Sequence, residues 1–172
     1  MQLYDSKTHK LRDLEPIIPG KVSIYVCGPT VQSEPHIGHL RSALVYDLLS
    51  RWLSNQGTKV SLIRNITDID DKVLEKHTEE FSWWQLAYKN ELEFQRQFDA
   101  LGIQRPSNEP RATGHIPEIL GLISKLIQNG YAYRADNGDV YFDSSAWSDY
   151  GELTNQKLED MEGEGAGKYK KA

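Results

Sequence analysis

Two histidines, His36 and His39, flank Gly38 in the stretch CGPTVQSEPHIGHLR that runs from Cys27 to Arg41. At this spacing across a helix N-terminus the imidazoles lie beside the first turn, where free backbone N–H groups and the positive end of the helix dipole attract phosphate. Gly38 removes a side chain, so a phosphate or a purine ring can approach the backbone. The combination suits donors aimed at a phosphoryl transition state. Histidines at a helix start also act as caps or plain surface residues, and spacing alone leaves both readings open. Cys27, taken by itself, reads as a small buried hydrophobe at a strand end.

The elements that would position these residues follow from periodicity. KVSIYVC (21–27) is a short apolar, β-branched run between Gly20 and Gly28-Pro29, which predicts a buried strand. Leu40, Ala43, Leu44, Leu48 and Trp52 recur at three- and four-residue steps, which predicts an amphipathic helix over 39–54, stopped by Asn55-Gln56-Gly57. TKVSLIRNIT (58–67) supplies a second strand. Strand, helix, strand in about 45 residues is the pattern of a parallel βαβ unit. In such folds ligands sit beyond the carboxyl ends of the strands, where both the histidine stretch and NITDIDDK fall. A helix over 82–101 capped by Ser82, a breaker-rich loop over 105–117, a helix over 117–128 and a hairpin turning at Asn137-Gly138 follow.

Composition narrows the class. A chain of 172 residues, 38% hydrophobic and 26% charged, can bury a core. Its net charge of -5 does not suit a surface that grips nucleic acid. One cysteine allows no internal disulfide framework. The start lacks the pattern of a signal peptide and no run of about 18 apolar residues could span a bilayer. The expected location is the cytoplasm, with no membrane partner.

Four separated segments, in order, resemble one family. PHIGH is similar to the His-Ile-Gly-His signature of class I aminoacyl-tRNA synthetases, and YVCGPTVQSEPHIGHLRSALVYDLL followed by RNITDIDDK resembles the cysteinyl-tRNA synthetase family in particular. EPRATGHIPEI and GDVYFD resemble later segments of that family, so the likeness extends to about Met161.

The resemblance implies an α/β fold: the first half of a class I synthetase Rossmann-like parallel sheet over 1–102, the start of an inserted α+β connective subdomain over 103–160, and a polar flexible tail over 161–172. It implies cysteine, ATP with magnesium, and tRNA(Cys) as substrates, and zinc as cofactor. Cys27 stands where the family supplies one thiolate to a zinc ion that binds the thiolate of the substrate; zinc prefers that soft ligand over a hydroxyl, which excludes serine. Gly28, Pro29 and Thr30 stand in the segment lining the amino-acid and ATP pocket, although the family commonly has an aliphatic residue at the position of Pro29. His36, Gly38 and His39 take the ATP-phosphate role, with the two histidines as the catalytic pair. Gly28, Thr30 and Thr67 stand near the substrate cysteine.

Asp68, Asp70 and Asp71 could suggest a hard-cation site, but acids after a strand also cap helices. The resemblance implies Asp68 near the substrate and Asp70 and Asp71 opening a helix, so no magnesium is assigned to them. Arg111 and His115 match a segment beside the crevice, or are held by local hydrogen bonds. Trp83 and Trp84 read as packing rather than as a base-stacking platform.

The family also implies three further zinc ligands, a Lys-Met-Ser-Lys-Ser loop that clamps the ATP phosphates, the second half of the sheet and an anticodon-reading helical domain, none of which has a counterpart in this sequence. The expectation is a truncated first third of a cysteine-tRNA ligase with one zinc ligand and an unpaired sheet edge. The rivals are a mycothiol-pathway ligase joining cysteine to an amino sugar, a small nucleotidyltransferase, and a catalytically inactive synthetase-like module that binds a protein or tRNA.

Overall fold

Gly20, at φ 74°, turns the chain into the strand Lys21–Val26, and the first apolar run becomes a strand as its β-branched content demands. The computed structural model describes residues 1–156, and the tail expected over 161–172 lies outside them. Two compact units are present: Pro16–Ile116, and a second made of Met1–Glu15 with the chain from Pro117 onward.

In the Pro16–Ile116 unit, β3 (Lys21–Val26) and β4 (Lys59–Arg64) pair in parallel, from Lys21 opposite Lys59 to Val26 opposite Arg64. The crossover is α1 (Ile37–Asn55), so the βαβ unit is present. Pairing outlives the strands: Thr67 donates its N–H to the Pro29 carbonyl at 3.0 Å and Val31 donates to the Thr67 carbonyl at 3.2 Å. α2 (Asp71–Leu74) is one turn capped by Asp70, whose carboxylate accepts from the Lys72 N–H at 3.0 Å. α3 (Trp83–Ala100) starts after Ser82 and ends before Gly102, as its pattern predicts.

The breaker-rich loop differs from its expectation. Residues 107–112 run along the outer edge of β4: Arg64 donates to the Asn108 carbonyl at 3.1 Å, Ile66 to the Pro110 carbonyl at 2.9 Å, and Ala112 back to the Ile66 carbonyl at 3.1 Å. Pro110 only accepts, so its missing N–H costs no ladder bond. Among the described residues the opposite edge, that of β3, carries no second strand.

The core of this unit gathers Val31, Ala43, Ile66, Val73, Ala87, Phe94, Phe98 and Ile103, with Leu40 and Trp83 packed on it. Trp83 meets the packing expectation and Trp84 does not. Successive helix positions point about 100° apart, and Trp84 is left 57% exposed.

Among the described residues the other unit holds two antiparallel hairpins. β1 (Gln2–Asp5) pairs with β2 (Lys10–Asp13), an element without apolar alternation and therefore not foreseen. Its turn is tied by Asp5, which accepts from the Lys7 N–H, the Thr8 hydroxyl and Arg12 at 2.9–3.1 Å. α4 (Ile116–Gln128) leads to β5 (Ala132–Arg134) and β6 (Val140–Phe142). Their turn is not the two-residue one expected. Gly138 donates to the Ala135 carbonyl at 3.0 Å and Ala135 to the Asp139 carbonyl at 2.8 Å, which makes a three-residue loop with Gly138 at φ 92°.

Candidate active site

Gly28 lies where β3 must leave the sheet under the main chain of β4's exit. A Cβ on Gly28 would stand 1.5 Å from the Asn65 carbonyl oxygen, so no other residue keeps this path. The Gly28 N–H donates to Asn65 Oδ1 at 2.8 Å. The strand exit therefore turns tightly, and Cys27 just before it is exposed rather than buried as its isolated reading suggested. Thr30 sits opposite Thr67 in an isolated parallel bridge.

The histidines cap α1, and do so reciprocally. His36 Nδ1 accepts from the Gly38 N–H at 3.1 Å, and His39 Nδ1 accepts from the His36 N–H at 3.3 Å. A backbone N–H can only donate, so in both rings Nδ1 is the acceptor and the ring hydrogen is on Nε2. The rings lie 3.8 Å apart between centroids, and His39 meets the edge or face of Phe94 at 5.1 Å. Burial first, and the neighbouring His36 second, hold the His39 pKa below its ordinary value, so the ring is neutral at pH 7.

Capping and ligand binding are therefore not rival uses of these rings: Nδ1 serves the helix, while Nε2 has no protein partner among the described residues. The expectation of free N–H groups at this helix end is corrected at Gly38, whose N–H is taken by His36. Gly38 instead gives room, since a Cβ there would come within 3.0 Å of the His36 ring.

A cleft of about 100 Å³ joins the two stretches, with Cys27, Gly28 and Pro29 on one side and Gly38, His39 and Ser42 on the other. Thr30, His36 and Thr67 are not in its lining. The volume is below the roughly 300–1,000 Å³ of a site that encloses a cofactor-sized ligand.

Some residues that shape the site escaped the sequence. Asn90, buried on α3, donates to the Val31 carbonyl at 2.9 Å, and Lys76 donates to the Gln32 carbonyl at 2.9 Å; together they hold the segment that leads to His36. Arg64 pairs with Glu109 at 2.8 Å and lies 4.2 Å over the Phe98 ring. A polar residue interrupting an apolar stripe, as Asn90 does between Ala87 and Phe94, was the available signal.

The acids and bases after β4 are occupied by structure. Asp68 accepts from the Thr113 N–H at 3.0 Å and from its hydroxyl. Arg111 donates through Nε to the buried Glu91 carboxylate at 2.9 Å and also through its terminal nitrogen, and His115 Nδ1 lies 2.8 Å from the Arg111 carbonyl. Glu91 in turn raises the Arg111 pKa. Local bonding thus accounts for Arg111 and His115.

Zinc does not fit the residues present. Among the described residues no group of three or more His, Cys, Asp or Glu could hold a metal ion, and one thiolate at Cys27 falls short of the four ligands a closed zinc site uses. Nor is any described helix long and apolar enough to cross a membrane.

Comparison with known proteins gives the family. The family model described as tRNA synthetases class I (C) catalytic domain matches residues 13–172. A cysteine--tRNA ligase of Clavibacter michiganensis subsp. michiganensis is 56% identical over 172 residues, covering 94% of this chain and 35% of that protein. Those of Arthrobacter sp. and Beutenbergia cavernae are 50% and 52% identical, covering 95% and 94% of this chain and 37% and 34% of theirs. The chain spans about a third of the length of these curated relatives. It belongs to the class I (C) tRNA synthetase catalytic-domain family, and its parallel βαβ unit is consistent with a partial Rossmann-like fold.

Proposed function

We propose that this chain supplies the amino-terminal part of a cysteine-tRNA ligase active site, in which ATP activates cysteine to cysteinyl-adenylate before transfer to tRNA(Cys). The observation that carries the reading is that the capped imidazole of His39, with the His36 ring 3.8 Å from it, faces the turn at Cys27-Gly28-Pro29 across one cleft, its Nε2 without a partner among the described residues. Activation requires the carboxylate of cysteine to attack the α-phosphorus of ATP and pyrophosphate to leave. No protein nucleophile takes part.

His36 and His39 would donate Nε2–H bonds to phosphate oxygens as negative charge moves onto them, and neutral imidazoles locked by their caps do this without reorganising. Thr30 and Thr67, joined across the strand exits, would meet the amino acid together with the backbone at Gly28. Pro29 would contact the nucleotide as a rigid wall, with magnesium entering alongside ATP. Cys27 would be a single ligand to zinc, and only where further ligands from outside the described residues completed the site. On this reading the connective subdomain expected over 103–160 would begin only after Ile116, since 103–116 belong to the unit of the βαβ element, and the chain would act in the cytoplasm.

Cysteine-dependent exchange of labelled pyrophosphate into ATP, with binding of a non-hydrolysable cysteinyl-adenylate analogue measured on the same protein, tests the reading. Exchange or analogue binding lost in His39→Ala supports it. Analogue binding that survives His39→Ala and Cys27→Ala together, or that is absent in the wild-type chain, overturns it in favour of a synthetase-like module without an adenylation site.

A further inference from the structure

One side chain, Asn65, ties together the two strand exits at the candidate site. Its Oδ1 accepts from the Gly28 N–H at 2.8 Å and from the Tyr25 hydroxyl at 3.1 Å. Its Nδ2 lies 3.2 Å from Thr67 Oγ1. The orientation of an amide is often ambiguous, but here Gly28 decides it: a backbone N–H can only donate, so the atom facing it is oxygen and the atom facing Thr67 is the NH₂ group. Thr67 Oγ1 is therefore an acceptor toward Asn65, and its own hydrogen is left over. Among the described residues that hydrogen has no acceptor.

We infer that Asn65 is a positioning residue, which fixes the Cys27-Gly28 turn and sets the Thr67 hydroxyl as a donor for an anionic oxygen of the ligand at the ends of β3 and β4. The inference rests on the cysteine-activation reading above. The ligand oxygen belongs either to the carboxylate of free cysteine or to the phosphoryl group of the adenylate.

The polarity argument separates holding from orienting. Asn65→Ala removes both functions. Asn65→Asp keeps an acceptor for Gly28 but replaces the NH₂ donor with oxygen, so the Thr67 hydroxyl turns inward to donate to the new carboxylate and is lost to the ligand. The added charge would by itself repel an anion, and Thr67→Val separates the two causes: a charge effect persists without the hydroxyl, whereas an orienting effect disappears.

The experiment is calorimetric titration of the 172-residue chain with L-cysteine and with the sulfamoyl analogue of cysteinyl-adenylate, over the cycle of wild type, Asn65→Asp, Thr67→Val and both together. Protection of the Gly28 amide from hydrogen exchange is followed by NMR in each variant and in Asn65→Ala. We expect Asn65→Asp to keep Gly28 protection and to weaken binding roughly 10- to 100-fold, Thr67→Val to weaken it similarly, and the second change to add less than about threefold to the first. Loss for L-cysteine identifies the carboxylate as the acceptor; loss confined to the analogue identifies the phosphoryl position. Unchanged affinity in Asn65→Asp, a full effect retained in the Thr67→Val background, or Gly28 protection that survives Asn65→Ala overturns the inference alone. A wild-type chain that binds neither probe overturns the activation reading, and this inference with it.

Discussion

α1 and α3 are 19 and 18 residues long and belong to the same unit, yet they dispose of their apolar residues in opposite ways. α3 turns Ala87, Asn90, Glu91, Phe94 and Phe98 inward, a stripe at three- and four-residue steps in which both polar members have partners. α1 buries only Ala43, Asp47 and Leu53 and leaves Leu48 57% and Trp52 56% exposed, although those residues define the periodicity that predicts the helix. A 3.6-residue pattern thus announces an apolar face without saying what covers it. The two helices agree in one respect, since each buries a carboxylate held by an arginine: Asp47 with Arg51 at 2.8 Å, and Glu91 with Arg111.

The largest effect should come from the covered face. Phe94 is 2% exposed at the centre of the core and supports His39, so Phe94→Ala is expected to cost about 3–5 kcal/mol in urea unfolding. A loss below about 1 kcal/mol would mean that α3 is not the packed helix of the pair.

The shared carboxylates come next. Arg111→Ala leaves Glu91 buried with Gln95 as its remaining side-chain partner, and Asp47→Ala leaves the Gln104 N–H, now 3.1 Å from Asp47 Oδ1, without its acceptor. Each should cost about 1–3 kcal/mol. If only one of the two variants is destabilised, the symmetry between the helices fails.

A smaller effect belongs to the cap of α1. The His39 pKa is lower in the folded chain than in the unfolded one, so the unfolded chain takes up the proton first on acidification. The stability this contributes is complete above His39's ordinary, unfolded value and is lost as pH falls through the folded one. Histidine ring-proton NMR should place His39 below 6.5, and the urea midpoint should decline with acidification less in His39→Gln than in wild type. A His39 that titrates above its ordinary value reverses the sign and removes the argument for a neutral ring.

The smallest effect tests the uncovered face. Leu48→Ser and Trp52→Ser should each change stability by no more than about 0.5 kcal/mol. A cost near that of Phe94→Ala would show that this stripe is covered in solution.

The residues of β3, α1, β4 and α3 carried enough local information to be read as elements. β-branched runs, a 3.6-residue period, and Gly57 and Gly102 as stops each act within a few residues. Two-stranded pairing of β1 with β2 was not readable, because strands with no buried face leave no alternation. Asn137-Gly138 suits a two-residue turn and the three-residue loop Asp136-Asn137-Gly138 equally, and only the register of β5 on β6 tells them apart.

The candidate site divides along the same line. Which chemistry could gather was legible in the chain, since the types and spacing of Cys27, Gly28, His36, Gly38 and His39 are local properties that folding does not alter. What each atom can do depends on the fold. That Nδ1 of both histidines is spent on backbone N–H groups, that Asp68 and Arg111 are bound to Thr113 and Glu91, and that Asn65 joins Gly28 to Thr67 are all set by contacts between atoms brought together by folding. A hydrogen bond fixes a donor and an acceptor only when both ends are known, and 37 residues separate Gly28 from Asn65 in the chain.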